Sequence, residues 1–341
     1  MTQRNILMDF LKGFAIILVV LGHSIQTTQA GSFDDNPVFK LIYSFHMPLF
    51  MFISGFVSYK TFDGTLRKLH SRLKSLVIPF LAWFALTLTI NCLIEVFTGG
   101  PQPDILESIG NLLKSPDYGL WFLWILFLNY ITLYFALKIS KTREEVYIFG
   151  FFIVLNLLLY VIPQINYLGL GLLSWHMFFY LIGYATHKHL MNRDKLLKII
   201  GIISLIAYPI LVIFWTRLGP PAFTQYSTFS PSIITLISLC YKFLVPITAI
   251  FAIYTIFQTL IQSKYFYKTP ILYLGTITLE IYATHFLFIY YLNPSKTLPM
   301  VDPIIMTFIA ALGGSILLQH ILKKSRILST VLYGKPKPNN T

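Results

Sequence analysis

Hydrophobic positions along this chain come in long unbroken stretches, and polar positions gather in short clusters between them. Apolar runs of about 20 residues recur throughout, each long enough to cross a hydrocarbon core of roughly 30 Å. The pattern predicts ten spans, at about 6–27, 39–60, 76–97, 119–138, 146–162, 166–186, 197–215, 232–257, 270–291 and 302–322. Because the runs are continuous and do not alternate, a membrane β-barrel is excluded. Two longer connections stand out. The stretch 98–118 carries the breakers Gly99, Gly100, Pro101, Pro103 and Pro116, and 216–231 is rich in Pro, Ser and Thr. The expected fold is all-α, a polytopic membrane protein forming a single transmembrane domain over 1–341.

Composition agrees, with 56% hydrophobic and 11% charged residues. The net charge of +13 suggests nucleic acid only if the chain is soluble. Here topology explains it. With ten spans, most of the 26 basic residues fall on one side, among them Lys60, Arg67, Lys68, Arg72, Lys74, Lys188, Arg193, Lys323 and Arg326. Asp34, Asp35, Asp104 and Glu107 fall on the other. The positive-inside rule therefore places both termini in the cytoplasm of a multi-pass protein of the cell membrane. No nucleic-acid partner and no metal are expected. Cys92 and Cys240 lie inside apolar runs and give neither a disulfide framework nor a metal site.

The first span carries charge where a spanning helix should not. Asp9 and Lys12 lie near its start and His23 near its end. Lys12 and His23 are eleven residues apart, which returns them to within roughly 20° of one face, separated by roughly 16 Å along the axis. Intramembrane ionisable groups are costly and mark function. Topology puts Lys12 near the cytoplasmic entrance and His23 in the outer half. His46 on the second span falls at a similar depth to His23. On the ninth span Glu280 sits near the middle and His285 beyond it. A histidine in a membrane helix can also simply bond a neighbouring helix, and that is the reading preferred for His176 and His320. The stretch 60–75, expected as a cytoplasmic loop, is the densest basic cluster. It serves as a topology anchor or as an attractor of phosphates.

Several motifs together resemble the acyltransferase-3 family of integral membrane proteins, in the branch of fucose 4-O-acetylase-like and other glycan O-acetyltransferases. A basic residue, ten residues, then histidine is matched by Lys12 and His23 in D-F-L-K-G-F-A-I-I-L-V-V-L-G-H. Many members have arginine at the first position; lysine presents a point charge rather than a planar fork. F-H-M-P-L-F-M-F-I-S-G-F (Phe45 to Phe56) resembles the second-helix signature, and R-K-L-H-S-R-L-K-S-L-V-I-P-F (Arg67 to Phe80) the basic stretch before helix three. L-W-F-L (Leu120 to Leu123) matches the start of helix four, and L-G-T-I-T-L-E-I-Y-A-T-H (Leu274 to His285) the late helix with its Tyr and His. The ordered set spans nearly the whole chain.

The resemblance implies an enzyme moving an acyl group, commonly acetyl from acetyl-CoA, onto a sugar hydroxyl of a cell-surface or lipid-linked glycan. Acetyl-CoA is then a donor substrate, with no permanently bound cofactor, and the partners are acyl-CoA, the glycan acceptor and membrane lipids. His23 is expected to act as general base or as acyl carrier. Asp9, Lys12, Glu280 and His285 complete the expected catalytic group, and Lys12, Arg67, Lys68 and Arg72 the phosphate contacts of CoA. His46, Ser54, Trp121 and Tyr282 are expected around the acceptor. The rival reading is a transporter or flippase for a glycolipid or polysaccharide using the same intramembrane polar groups.

Overall fold

A computed structural model describes residues 5–29, 33–116, 120–140, 145–161, 167–191, 193–263, 269–292 and 302–334. Among these residues the fold is helical, with eight helices long and apolar enough to cross a membrane. A bent pair, Pro270–Thr276 with Thr278–Tyr291, brings the number to nine when counted as one span, and the expected fifth span is a shorter apolar helix, Val146–Leu159. The chain divides into two compact units, 1–53 with 185–318 and 54–184 with 319–341.

The first unit is organised around α1 (Ile6–Thr28). Asn5 caps it, its side chain accepting the Met8 N–H at 3.3 Å. Buried residues occur all round α1, from Met8, Phe10 and Leu11 to Val19, Val20 and Ile25, as expected of a helix at the centre of a bundle. Its closest neighbour is α12 (Pro270–Thr276), and the following α13 (Thr278–Phe286) also packs on it. By contrast α10 (Asp194–Ile213) buries only Leu197, Gly201, Ser204 and Tyr208, at spacings of three and four. Its opposite face exposes Ile199, Ile202, Ile203, Ile206, Ile210 and Ile213, a surface suited to lipid tails. The buried stripe of α10 packs against α11 (Pro231–Leu260).

The expected second span is divided. α2 (Pro37–Tyr43) ends at Ser44 and α3 (His46–Thr61) begins after the two-residue turn 44–45, the two together still forming one apolar crossing over Pro37–Thr61. The larger departure lies in the ninth span. In place of one helix over 270–291, α12 and the helix that follows it meet at 81°. Ile277, with φ −119° and ψ 25°, is the joint. Thr276, Ile277 and Thr278 form a β-branched run with poor helix propensity, which favours a break there.

In the second unit, the basic stretch expected as a loop is mostly helical. Thr65 caps α4 (Leu66–Arg72) by accepting the Lys68 N–H, and a π-helical turn over 73–77 leads into α5 (Ile78–Thr98). Asp63 accepts the Thr65 hydroxyl at 2.7 Å and its N–H at 3.0 Å, which holds the Asp63 carboxyl below its usual range. Near the C-terminus α15 (Arg326–Tyr333) docks on α5, where the Trp83 indole N–H donates to the Leu332 carbonyl at 2.8 Å.

Candidate functional site

The geometry of the first unit begins with a close approach between α1 and α12. A Cβ on Gly13 would lie 2.0 Å from the Ile271 carbonyl oxygen, and one on Gly275 would lie 1.8 Å from that of Asp9. Only glycine lets the two backbones pack this closely. On the same stretch of α1, Lys12 Nζ lies 3.5 Å from Asp9 Oδ1, with the lysine about one-third exposed.

Immediately after this contact the chain bends at Ile277, and the bend directs α13 along the upper part of α1. His285 thereby reaches His23, ring centroid to ring centroid 5.3 Å, with Phe286 at 4.5 Å from the same imidazole. Tyr282 lies one turn away, 6.1 Å from the His285 ring. Glu280 is buried in the first turn of α13, its backbone carbonyl accepting the Thr284 hydroxyl at 2.8 Å.

Carbonyl partners fix which nitrogen of the His285 ring carries a proton, and the partners of His23 favour the same tautomer. His285 Nδ1 sits 2.8 Å from the Tyr282 carbonyl and 3.1 Å from that of Ile281. Carbonyls only accept, so Nδ1 is the N–H and Nε2 holds a lone pair. That Nε2 is fully buried and has no hydrogen-bond partner. His23 follows the same logic. Its Nδ1 lies 3.3 Å from Gln26 Oε1, an oxygen that also accepts the Tyr43 hydroxyl at 2.6 Å. The amide orientation assigned to Gln26 makes this oxygen an acceptor, so His23 Nδ1 donates and Nε2 is left as the basic atom. His46 Nδ1 likewise faces the Ile42 carbonyl at 2.9 Å.

Tyr43 joins these groups and was not expected from the sequence. Its hydroxyl lies 3.4 Å from His23 Nδ1, its ring is 4.8 Å from the His46 ring, and Phe39 stacks on it at 3.9 Å. The spacing held a hint, since Gln26 follows His23 by three residues on one face of α1. Tyr43 thus lies between His46 and His23, its ring 4.8 Å from the one and 6.3 Å from the other.

The remaining expected residues belong to the second unit. Arg67 and Lys68 are exposed on α4. Arg72 points elsewhere, its guanidinium donating to the Thr61 hydroxyl at 3.2 Å and lying 4.7 Å over the Tyr130 ring. Ser54 lies on α3, its carbonyl accepting the Ser58 hydroxyl at 2.7 Å. Trp121, at the start of α7 (Trp121–Ile139), packs 4.9 Å from the His176 ring. His176 Nδ1 bonds the Leu172 carbonyl at 2.8 Å, while its Nε2 is buried without a partner.

Comparison with known proteins adds an independent line. A family model described as an acyltransferase domain matches residues 5–320. A curated relative, the nodulation protein NolL of Sinorhizobium fredii (strain NBRC 101917 / NGR234), is 38% identical over 134 residues, covering 38% of this chain and 36% of that protein. NolL of Mesorhizobium japonicum (strain LMG 29417 / CECT 9101 / MAFF 303099) is 34% identical over 137 residues, 38% of this chain and 35% of that protein. Each match thus spans about a third of the relative's length. No solved structure matches.

Proposed function

Because the chain belongs to the acyltransferase family defined by that domain and is a multi-pass membrane enzyme of it, we propose that it moves acetyl from acetyl-CoA to a sugar hydroxyl. The acceptor in this reading is a cell-surface or lipid-linked glycan, and the enzyme resides in the cell membrane. The observation that carries it is the paired imidazoles of His23 and His285, both Nδ1–H tautomers with Nε2 lone pairs.

Chemically, His23 Nε2 takes the proton of the acceptor hydroxyl as its oxygen attacks the thioester carbonyl. The new C–O bond forms, the C–S bond breaks, and the imidazolium returns the proton to the departing thiolate. Gln26 and Tyr43 keep the His23 ring in the productive tautomer, the role an orienting partner plays for any general base. The unpartnered Nε2 of His285 is placed to accept a second hydroxyl of the sugar and fix its approach. Lys12, positioned by Asp9, contacts a phosphate of CoA as a point charge. The pantetheine arm then follows the α1 stripe towards His23, over the roughly 16 Å that eleven helical residues span.

The test is transfer of radiolabelled acetyl from acetyl-CoA to candidate lipid-linked glycans by purified protein. Activity in the wild type and its loss in His23→Ala supports the reading; equal activity in both would refute it.

A further inference from the structure

The connection after α10 carries a cation that neither the spacing of Lys12 and His23 nor the transfer mechanism uses. Arg217 is half-buried, and its guanidinium carbon lies 5.1 Å from the Tyr43 ring centroid, 5.8 Å from Phe39 and 5.9 Å from Phe33. Those three rings are themselves stacked, Phe33 on Phe39 at 4.9 Å and Phe39 on Tyr43 at 3.9 Å. The aromatic wall satisfies the flat side of the guanidinium, which leaves its N–H edge to bond something else.

The loop is held so that this edge keeps its place. Asp34 Oδ1 accepts the Arg217 backbone N–H at 3.0 Å, and Lys40 Nζ donates to the Ile213 carbonyl at 2.8 Å. The Asp34 carboxylate is thus engaged by the Arg217 backbone. Among the described residues no acid forms an ion pair with the guanidinium and no acceptor takes its N–H groups. An arginine fixed on aromatic rings without a carboxylate counter-charge is a recognition group for a planar or tetrahedral oxyanion. Tyr43 connects it to the chemistry, since the same ring lies 6.3 Å from the His23 ring. Those two steps put the guanidinium carbon about 11 Å or less from the His23 imidazole, a span that a short saccharide covers.

We propose that Arg217 anchors a phosphoryl group on the acceptor of the acyl transfer proposed above, so that the sugar hydroxyl extends past Tyr43 to His23. The acceptor class is then a saccharide linked to a lipid through phosphate or diphosphate. Arg217 binds and positions; it does not take part in bond making. The positive-inside rule assigns this connection to the non-cytoplasmic side.

The experiment is equilibrium binding of radiolabelled polyisoprenyl diphosphate to the full chain in detergent, for the wild type, Arg217→Gln, Arg217→Lys and His23→Ala. The wild type is expected to bind saturably and more weakly as salt rises, with polyisoprenol at least about tenfold weaker. Arg217→Gln should lose about tenfold in affinity, as expected for one charge-assisted contact, and Arg217→Lys should recover part of it. His23→Ala should bind as the wild type does, so failure of the transfer chemistry and failure of this site are read separately. Competition by inorganic diphosphate as strong as by the lipid supports a phosphoryl site but assigns it to a soluble anion. Equal binding by Arg217→Gln and wild type overturns the proposal. So does phosphatidylglycerol competing as well as the diphosphate, which would make Arg217 a general headgroup anchor.

Discussion

His23 and His285 face each other with ring centroids 5.3 Å apart and their planes tilted by 32°. The two residues are 262 positions apart in the chain and meet only because the ninth span is broken. A straight helix over 270–291 would rise about 1.5 Å per residue in one direction. The 81° turn at Ile277 instead leaves Gly275 against Asp9 and sends His285 to His23. Broken helices in membranes are confined to places where the freed backbone is buried in protein or lines a cavity, and this one positions an imidazole.

His285→Ala is therefore expected to reduce kcat by about a hundredfold, within the range of an acid–base or hydroxyl-binding group. The KM for acetyl-CoA should change little. Steady-state kinetics at varied donor concentration separates the two, and a rise in donor KM with kcat unchanged would count against a role at the acceptor.

Tyr43→Phe keeps the ring that stacks on Phe39 and removes the hydroxyl bonded to Gln26. His23 then loses part of what fixes its tautomer, and kcat should fall about tenfold, the worth of one hydrogen bond to a positioned group. Protein yield and thermal stability should stay near the wild type. Unaltered turnover would show that Gln26 alone orients the imidazole.

The α1–α12 contact makes a stability prediction. Gly13→Ala and Gly275→Ala each push a methyl into a carbonyl oxygen and should cost about 1–3 kcal/mol, the usual range for overpacking. Gly313→Ala meets nothing within 4 Å and serves as the control, expected to be neutral. Thermal unfolding in detergent reads the difference, and equal melting temperatures would contradict the close packing.

Much of this arrangement was legible in the sequence. Apolar run length gave the helical membrane fold, and the eleven-residue spacing of Lys12 and His23 picked out α1 as the central helix. The sequence sets His23 in the outer half of its span and His285 beyond the middle of its own, and the structure brings their rings to 5.3 Å. Other features depend on tertiary contacts that no local pattern encodes. The bend at Ile277 has only a β-branched run as a signal, with no proline at the joint. Tyr43 draws its importance from residues on α1, on α3 and in the loop after α10. The basic stretch 60–75 reads as a loop in the sequence because its charges hide the capping threonine at Thr65 that starts α4.

Exposed Arg67 and Lys68 support a donor-binding prediction. Replacing both by glutamine should raise the KM for acetyl-CoA at low ionic strength, and the difference from wild type should shrink as salt is added. An unchanged KM at every salt concentration would return these residues to the role of topology anchors.

The central claim is that His23 Nε2 performs the proton transfer of acyl transfer. The most direct measurement is single-turnover acetylation of a lipid-linked glycan by His23→Ala protein saturated with acetyl-CoA. Transfer is expected to slow by at least about a hundredfold, with acetyl-CoA binding retained. Transfer at the wild-type rate would contradict the account.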